Sequence, residues 1–418
     1  MRTMALLLVS GAVGAGAIGA AVKMNPAPMP MSADHDWEKS RPGPDSGRVA
    51  IMINALGRTD PVVCELIADQ LGNFWWGGSE YGVGRLASTS TTVQAAKDSI
   101  GGEITDARAI NRLVAELDGA NACTRRVAAK MLGNSSITTA RLNGLLGDQS
   151  ANVRESAALV AGNSEHKDAV PALEHALDDG SPAVAAMAAW ALGELEDRSA
   201  VPALLKLVRS GDTRVRVSTI HALGQLEDAR AVPTIVVTLR DANPTVREIS
   251  ADVLGDFDKA TDAIAPLELA MLGDANAKVR AQAASSLGDI SASSSGPALG
   301  KALADPDITV RRAAAEALGE LDELRSAPAA LVTALSANDA ELRYRAAKAL
   351  AEIRDPATTS ALIGILSSPD AELRKDAVEA LGEIGSPSAV QAITKALSDR
   401  DPEVRKAAAE ALGDLKDS

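Results

Sequence analysis

The chain has 418 residues, with 42 basic and 56 acidic side chains and a formal net charge of −14. No basic stripe stands out that could neutralise phosphates, which argues against a nucleic-acid partner and against an anionic membrane surface. Aromatic residues make up only 2% of the sequence, a composition for closely packed, small-faced helices and not for aromatic-lined ligand pockets.

The N-terminus carries its own signal. Arg2 precedes an uncharged run from Thr3 to Val22 that contains Leu6-Leu7-Leu8-Val9 and many small residues. A positive start, an apolar stretch and small residues predict a signal peptide over 1–22. The same run is nearly long enough to remain as an inner-membrane anchor over 3–22, although its Gly/Ala content favours cleavage. The expected location is the periplasm or the exterior of a bacterial cell. Residues 23–48 carry Pro26, Pro28, Pro30, Pro42 and Pro44 with little apolar content and read as an extended, mobile linker.

Region 49–120 reads as a degenerate, capping portion. Pro61-Val62-Val63-Cys64 and Leu71-Gly72 form a first irregular unit. The stretch Phe74-Trp75-Trp76 to Tyr81 then matches no repeat position. It serves either as a cap on the open apolar end of the array or as a set of rigid anchors for a partner. A second irregular unit over about 90–119 ends in the helical pattern Ala109 to Leu117.

Cys64 and Cys123 are the two cysteines. Two regular repeats between them would hold them beyond the reach of about 7 Å between alpha carbons that a disulfide needs. That leaves two unpaired thiols as one reading. The irregularity of the intervening segment keeps a bridge open as the other.

From Asn121 to the C-terminus a phrase recurs: Val-Arg, an alanine-rich stretch, then Leu-Gly. The arginine slot is held by Arg125, Arg154, Ala185, Arg216, Arg247, Arg280, Arg311, Arg343, Arg374 and Arg405, in steps of 29, 31, 31, 31, 33, 31, 32, 31 and 31 residues. Such a period means stacked supersecondary units. Val310, Ala314, Ala317, Leu318 and Leu321 recur at helical spacing. Asp307 sits where it can cap the first turn, a slot shared by Asp212, Asp339, Asp370 and Asp401. Gly319 falls near the helix end, where glycine permits either the turn or a close backbone approach. A proline nine residues later (Pro171, Pro202, Pro233, Pro297, Pro328) suits the first turn of a second, shorter helix. The fold predicted for 121–418 is thus an all-α solenoid of about ten regular two-helix repeats, with one or two degenerate units before it.

The pattern Asp-Pro-x-x-Val-Arg-x-x-Ala-Ala-x-Ala-Leu-Gly, in variants such as those starting at Asp305-Pro306 and Asp401-Pro402, resembles the short bacterial type of HEAT repeat also found in phycobilin lyase subunits. The resemblance implies a right-handed α–α superhelix whose second helices line the concave surface. It also implies a ladder between units formed by the arginine and a linker acid, onto which Arg216, Arg247, Arg280, Arg311, Arg374 and Arg405 map. Ala185 in place of the arginine and Ala351 in place of the glycine weaken that ladder locally.

Catalytic chemistry finds little support. His35, His166, His175 and His221 form no pair with zinc-hydrolase spacing, and no His-Glu dipeptide of the kind that holds iron in some HEAT-like enzymes is present. No nucleophile elbow or phosphate loop appears. No catalytic, metal or cofactor residues are assigned. The expected function is that of a non-catalytic, exported scaffold or adaptor for a protein or peptide. Its contacts would come from Phe74, Trp75, Trp76 and Tyr81, or from the second-helix slots Lys206, Val237 and Lys301. The alternatives are a bilin lyase-type subunit, by resemblance alone, and an extracytoplasmic regulatory or sensory domain of a membrane signalling or peptidase system.

Overall fold

The repeat phrase starts helices because an acid or amide precedes it. In the computed structural model, which describes residues 44–56, 102–164, 166–257, 260–322 and 324–417, Asp307 is the N-cap of the helix Ile308–Glu320. Its carboxylate accepts the amide N–H of Thr309 at 2.8 Å, satisfying a donor that the first helical turn leaves unpaired. Asp212, Asp339 and Asp370 cap their helices in the same way. Asn243 and Asn276 fill the slot where the sequence has no aspartate.

The helices group into two compact units, divided after Leu207. The first holds α1 (Ser46–Leu56), α2 (Ala107–Glu116), α3 (Ala122–Gly133), α4 (Thr139–Leu146), α5 (Ala151–Gly162), α6 (Val170–Ala176), α7 (Pro182–Glu194) and α8 (Val201–Leu207). The second holds α9 (Thr213–Gln225), α10 (Val232–Thr238), α11 (Pro244–Gly255), α12 (Thr261–Gly273), α13 (Ala277–Asp289), α14 (Gly296–Ala302) and α15 (Ile308–Glu320). It continues with α16 (Ala329–Ala334), α17 (Ala340–Ile353), α18 (Thr359–Ile365), α19 (Ala371–Ile384), α20 (Pro387–Ala396) and α21 (Pro402–Asp417). From α3 onward, odd-numbered helices carry the Val-Arg phrase and even-numbered ones are the second helices. Within each unit, successive odd-numbered helices pack side by side, so each repeat buries its apolar stripe against the next. Val310, Ala314, Ala317 and Leu318 of α15 are all buried in this way.

The glycine of the phrase serves close approach and not the turn. A Cβ built on Gly319 would lie 3.1 Å from the Ala349 Cα, and one on Gly224 would lie 2.8 Å from a Val253 methyl. The left-handed turn falls three residues later, at Glu227, Ser291 and Arg354 (φ 44°, 53° and 53°) and at Gly385.

The arginines form the inter-repeat ladder where an acid is available. In the second unit Arg216 reaches Asp241 (2.9 Å), Arg247 reaches Asp274 (2.6 Å), Arg280 reaches Asp305 (2.7 Å) and Arg374 reaches Asp399 (2.8 Å). Arg154 pairs likewise with Asp179 in the first unit, at 2.7 Å. The Arg247 hydrogen bonds hold the Asp274 carboxyl below the ordinary range. Two expected rungs lack their carboxylate. Arg311 donates to the carbonyls of Asp305 and Pro306, and its neighbour Arg312 takes Asp339 at 2.6 Å. Arg405 donates to the carbonyls of Asp399 and Arg400. For Arg311 the cause lies in the next linker: the position that would supply its acid is Ser336.

Near the start of the first unit the repeat rhythm is replaced. Asp106 caps α2 and also accepts the Ser46 amide at the start of α1, at 3.0 Å. Ile104 forms an isolated parallel bridge with Ser135. Cys123, in the first turn of α3, is disulfide-bonded, and the chain's other cysteine is Cys64. The unpaired-thiol reading is therefore corrected. It assumed two regular helical repeats between the cysteines, whereas the chain around Ile104 is an extended strap and not a helix.

Candidate functional site

Most second helices are short. After a single 3-10 turn, α8, α10 and α14 each run for seven residues, with a proline in the first turn. The repeat that follows Arg247 departs from this pattern. It is two residues longer than its neighbours, and α12 runs for 13 residues with Pro266 inside it. Pro266 is the register proline displaced by the insertion, and the turn of helix before it takes the place of the 3-10 turn. Phe257, one of two phenylalanines in the chain, is buried in the connection before α12.

The lengthened helix presents apolar side chains outward. Leu267 and Met271 point into the core and are fully buried, while Leu269 is 68% exposed and Leu272 45% exposed. On α10, which packs against α12, Val237 is 58% exposed. These three are half of the six large apolar side chains exposed among the described residues. Between the two helices lies a shallow groove of about 350 Å³, lined by Val237, Leu239, Pro266, Leu269 and Ala270, with Arg240 and Asp274 at its polar edge. An open space beside Gly273 widens one end, because a Cβ there would meet nothing within 4 Å.

The charges of the groove are unequal. Asp274 is committed to Arg247, and Asp241, adjacent to Arg240, is committed to Arg216. Arg240 is exposed, and among the described residues no carboxylate pairs with it. A second groove of about 450 Å³ lies between the C-terminal ends of α16 and α18. Its charged groups, Arg343 and Asp370, are already paired with each other at 2.6 Å, so it offers no open polar valence.

Of the second-helix residues singled out in the sequence, Val237 lines the groove. Lys301 is exposed on α14, the helix that packs on the other side of α12. Lys206 is exposed on α8 of the first unit, apart from this site. Phe74, Trp75, Trp76 and Tyr81 lie outside the described residues. By the proline register the sequence places the couple Leu269-Ala270 in the same kind of second-helix slot, with only one of the two facing outward, but it does not single out Leu272 or Arg240; the 33-residue step was the signal that marked their repeat. Among the described residues no group of three or more His, Cys, Asp or Glu is placed to hold a metal. His166 shares a hydrogen bond with the Thr139 hydroxyl at 3.1 Å, and burial lowers the pKa of His221 in α9. No helix among the described residues is long and apolar enough to cross a membrane.

The family comparison fits this architecture. A family model described as HEAT repeats matches residues 138–218, 201–271, 264–335, 296–369 and 360–418. No curated protein matches the chain. Among solved structures, one similar chain is an engineered protein from a structural genomics consortium, 24% identical, with a TM-score of 0.44 over 73% of this chain and 98% of that one. Another is human deoxyhypusine hydroxylase in complex with glycerol, 18% identical, with a TM-score of 0.28 over 67% of this chain and 96% of that one.

Proposed function

The chain belongs to the HEAT-repeat family, and on that premise we propose that it is a non-catalytic scaffold or adaptor that binds a segment of another protein on its second-helix surface. The observation that carries this reading is the outward display of Val237, Leu269 and Leu272 on two adjacent second helices. Stack-building residues elsewhere in the array are buried, and a contiguous exposed apolar strip is a surface awaiting cover. Repeat arrays place such departures from their consensus on the binding face.

Export belongs to the same proposal. It rests on the run from Thr3 to Val22 after Arg2 and gains support from the disulfide at Cys123, since disulfides persist in oxidising compartments. Mass spectrometry of the mature N-terminus tests it: a chain starting near residue 23 is expected, and retention of residues 1–22 would favour the anchored form.

Photo-crosslinking tests the binding surface. A benzophenone side chain placed at position 237 in the native host is expected to capture a discrete partner band. The same group at Glu316, on the first-helix surface, is expected to capture none. Crosslinks confined to position 316 would overturn the reading.

A further inference from the structure

We propose that the groove between α10 and α12 takes an acidic apolar segment of a partner protein, with its apolar side chains over Val237 and Leu269 and a carboxylate on Arg240. This rests on the scaffold reading above and adds the chemistry of the partner.

The apolar half of the argument is geometric. A groove of about 350 Å³ holds one or two aliphatic side chains, and Leu269 and Val237 flank it while remaining more than half exposed. Leu272, one helical turn beyond Leu269, extends the strip along α12. The groove thus suits a short run of side chains and not a small polar metabolite.

Charge decides which apolar segment. The molecule as a whole carries a net charge of −14, yet the acids at this edge are neutralised within the ladder, Asp241 by Arg216 and Asp274 by Arg247. Arg240 is left as an exposed guanidinium beside apolar surface. Arg209 stands in the same register one repeat earlier, and Lys301 is exposed beyond the far side of α12. The acidic side chains of α12 itself are Asp262, in its first turn, and Glu268. Neither lines the groove. A guanidinium matches a carboxylate in a fork of two parallel hydrogen bonds. A basic segment would meet Arg240 as a like charge, and like-charge contacts discriminate against wrong partners.

Three fluorescein-labelled peptides test this on the full chain. They share a central Leu-Leu pair and differ only in flanking residues: two glutamates, two glutamines or two lysines. By fluorescence anisotropy at low salt, the glutamate peptide is expected to bind at least tenfold more tightly than the lysine peptide, with the glutamine peptide between. Arg240→Glu is expected to reverse that order. The double variant Leu269→Ser, Leu272→Ser is expected to weaken all three at least fivefold, with an unchanged melting curve showing that the fold is kept. Equal affinity for the three peptides, an order untouched by Arg240→Glu, or no binding of the glutamate peptide by the wild-type chain would each overturn the proposal. If the peptides fail while crosslinking at position 237 still captures a partner, the scaffold reading stands and only the partner chemistry is wrong. If crosslinking fails too, the scaffold reading itself falls.

Discussion

Two neighbouring repeats of the second unit contrast most usefully. The repeat around α13 and α14 follows the consensus: Arg280 pairs with Asp305, Asn276 caps its helix, and Gly288 admits the next first helix. Its second helix exposes only Pro297 and the charged Lys301, its small residues being buried. The repeat before it, around α11 and α12, keeps the same Arg247–Asp274 rung but lengthens its second helix and turns two leucines outward. Consensus residues are consumed in holding repeats together. What a repeat can bind is written in the residues its stacking does not need.

The rungs give the largest effects. Arg247→Ala is expected to cost about 3–5 kcal/mol in urea unfolding followed by circular dichroism, because Asp274, 8% exposed at its side chain, is left as a nearly buried charge without its partner. Arg311→Ala removes only hydrogen bonds to the Asp305 and Pro306 carbonyls and is expected to cost roughly 1–2 kcal/mol. Equal losses would show that the carboxylate adds nothing to the rung.

This difference marks how far the sequence could be read. The two-helix repeat, its caps and the arginine slot follow from a 31-residue pattern whose physics is local: a capping acid, a stripe at helical spacing, a glycine where backbones meet. The failure of Arg311 to find an acid depends on Ser336, 25 residues away in the next linker, and the sequence pattern does not bring those positions together until the repeats are stacked. The groove was half legible. Val237 came from register alone, but which member of Leu269-Ala270 faces out depends on how the two inserted residues are absorbed, and the chain absorbs them by extending α12. The disulfide at Cys123 was weighed with the wrong ruler, because repeat length measures distance only where the repeat is kept.

An intermediate effect concerns charge within the stack. Asp376 of α19 is 8% exposed, and burial, reinforced by Glu379, pushes its pKa up to about 6. A carboxyl raised in the fold binds its proton more tightly than in the unfolded chain. It therefore weakens the fold progressively as pH rises from about 4 to 6, with the full penalty above that. Asp376→Asn is expected to stabilise the chain by roughly 2–3 kcal/mol at pH 7.5 and to leave it unchanged at pH 3.5. Acids paired with arginine work in the opposite sense. The Arg312 hydrogen bonds lower Asp339 to about 2, so its contribution is present above the unfolded value near 4 and is lost as pH falls towards 2. Melting temperature against pH is expected to peak between pH 4 and 5, and Asp376→Asn is expected to make its fall towards neutrality shallower, the remaining slope coming from Asp252, which burial also pushes up to about 6. A variant with the wild-type profile would show that the Asp376 carboxylate is adequately solvated.

The smallest effect on stability is expected where the effect on binding is largest. Leu267 and Leu269 lie two residues apart on α12, one fully buried and the other 68% exposed. Leu267→Ala leaves a cavity in the stack and is expected to cost about 2–5 kcal/mol. Leu269→Ser removes a side chain that the isolated chain leaves in water, and is expected to change stability by no more than about 0.5 kcal/mol. On the proposed reading, Leu269 is covered by the partner in the complex. Capture of the partner by the crosslinker at position 237 is expected to fall in Leu269→Ser while the urea midpoint holds. A large drop in the midpoint would place Leu269 with the residues that build the array, and the contrast between the two repeats would then be one of packing alone.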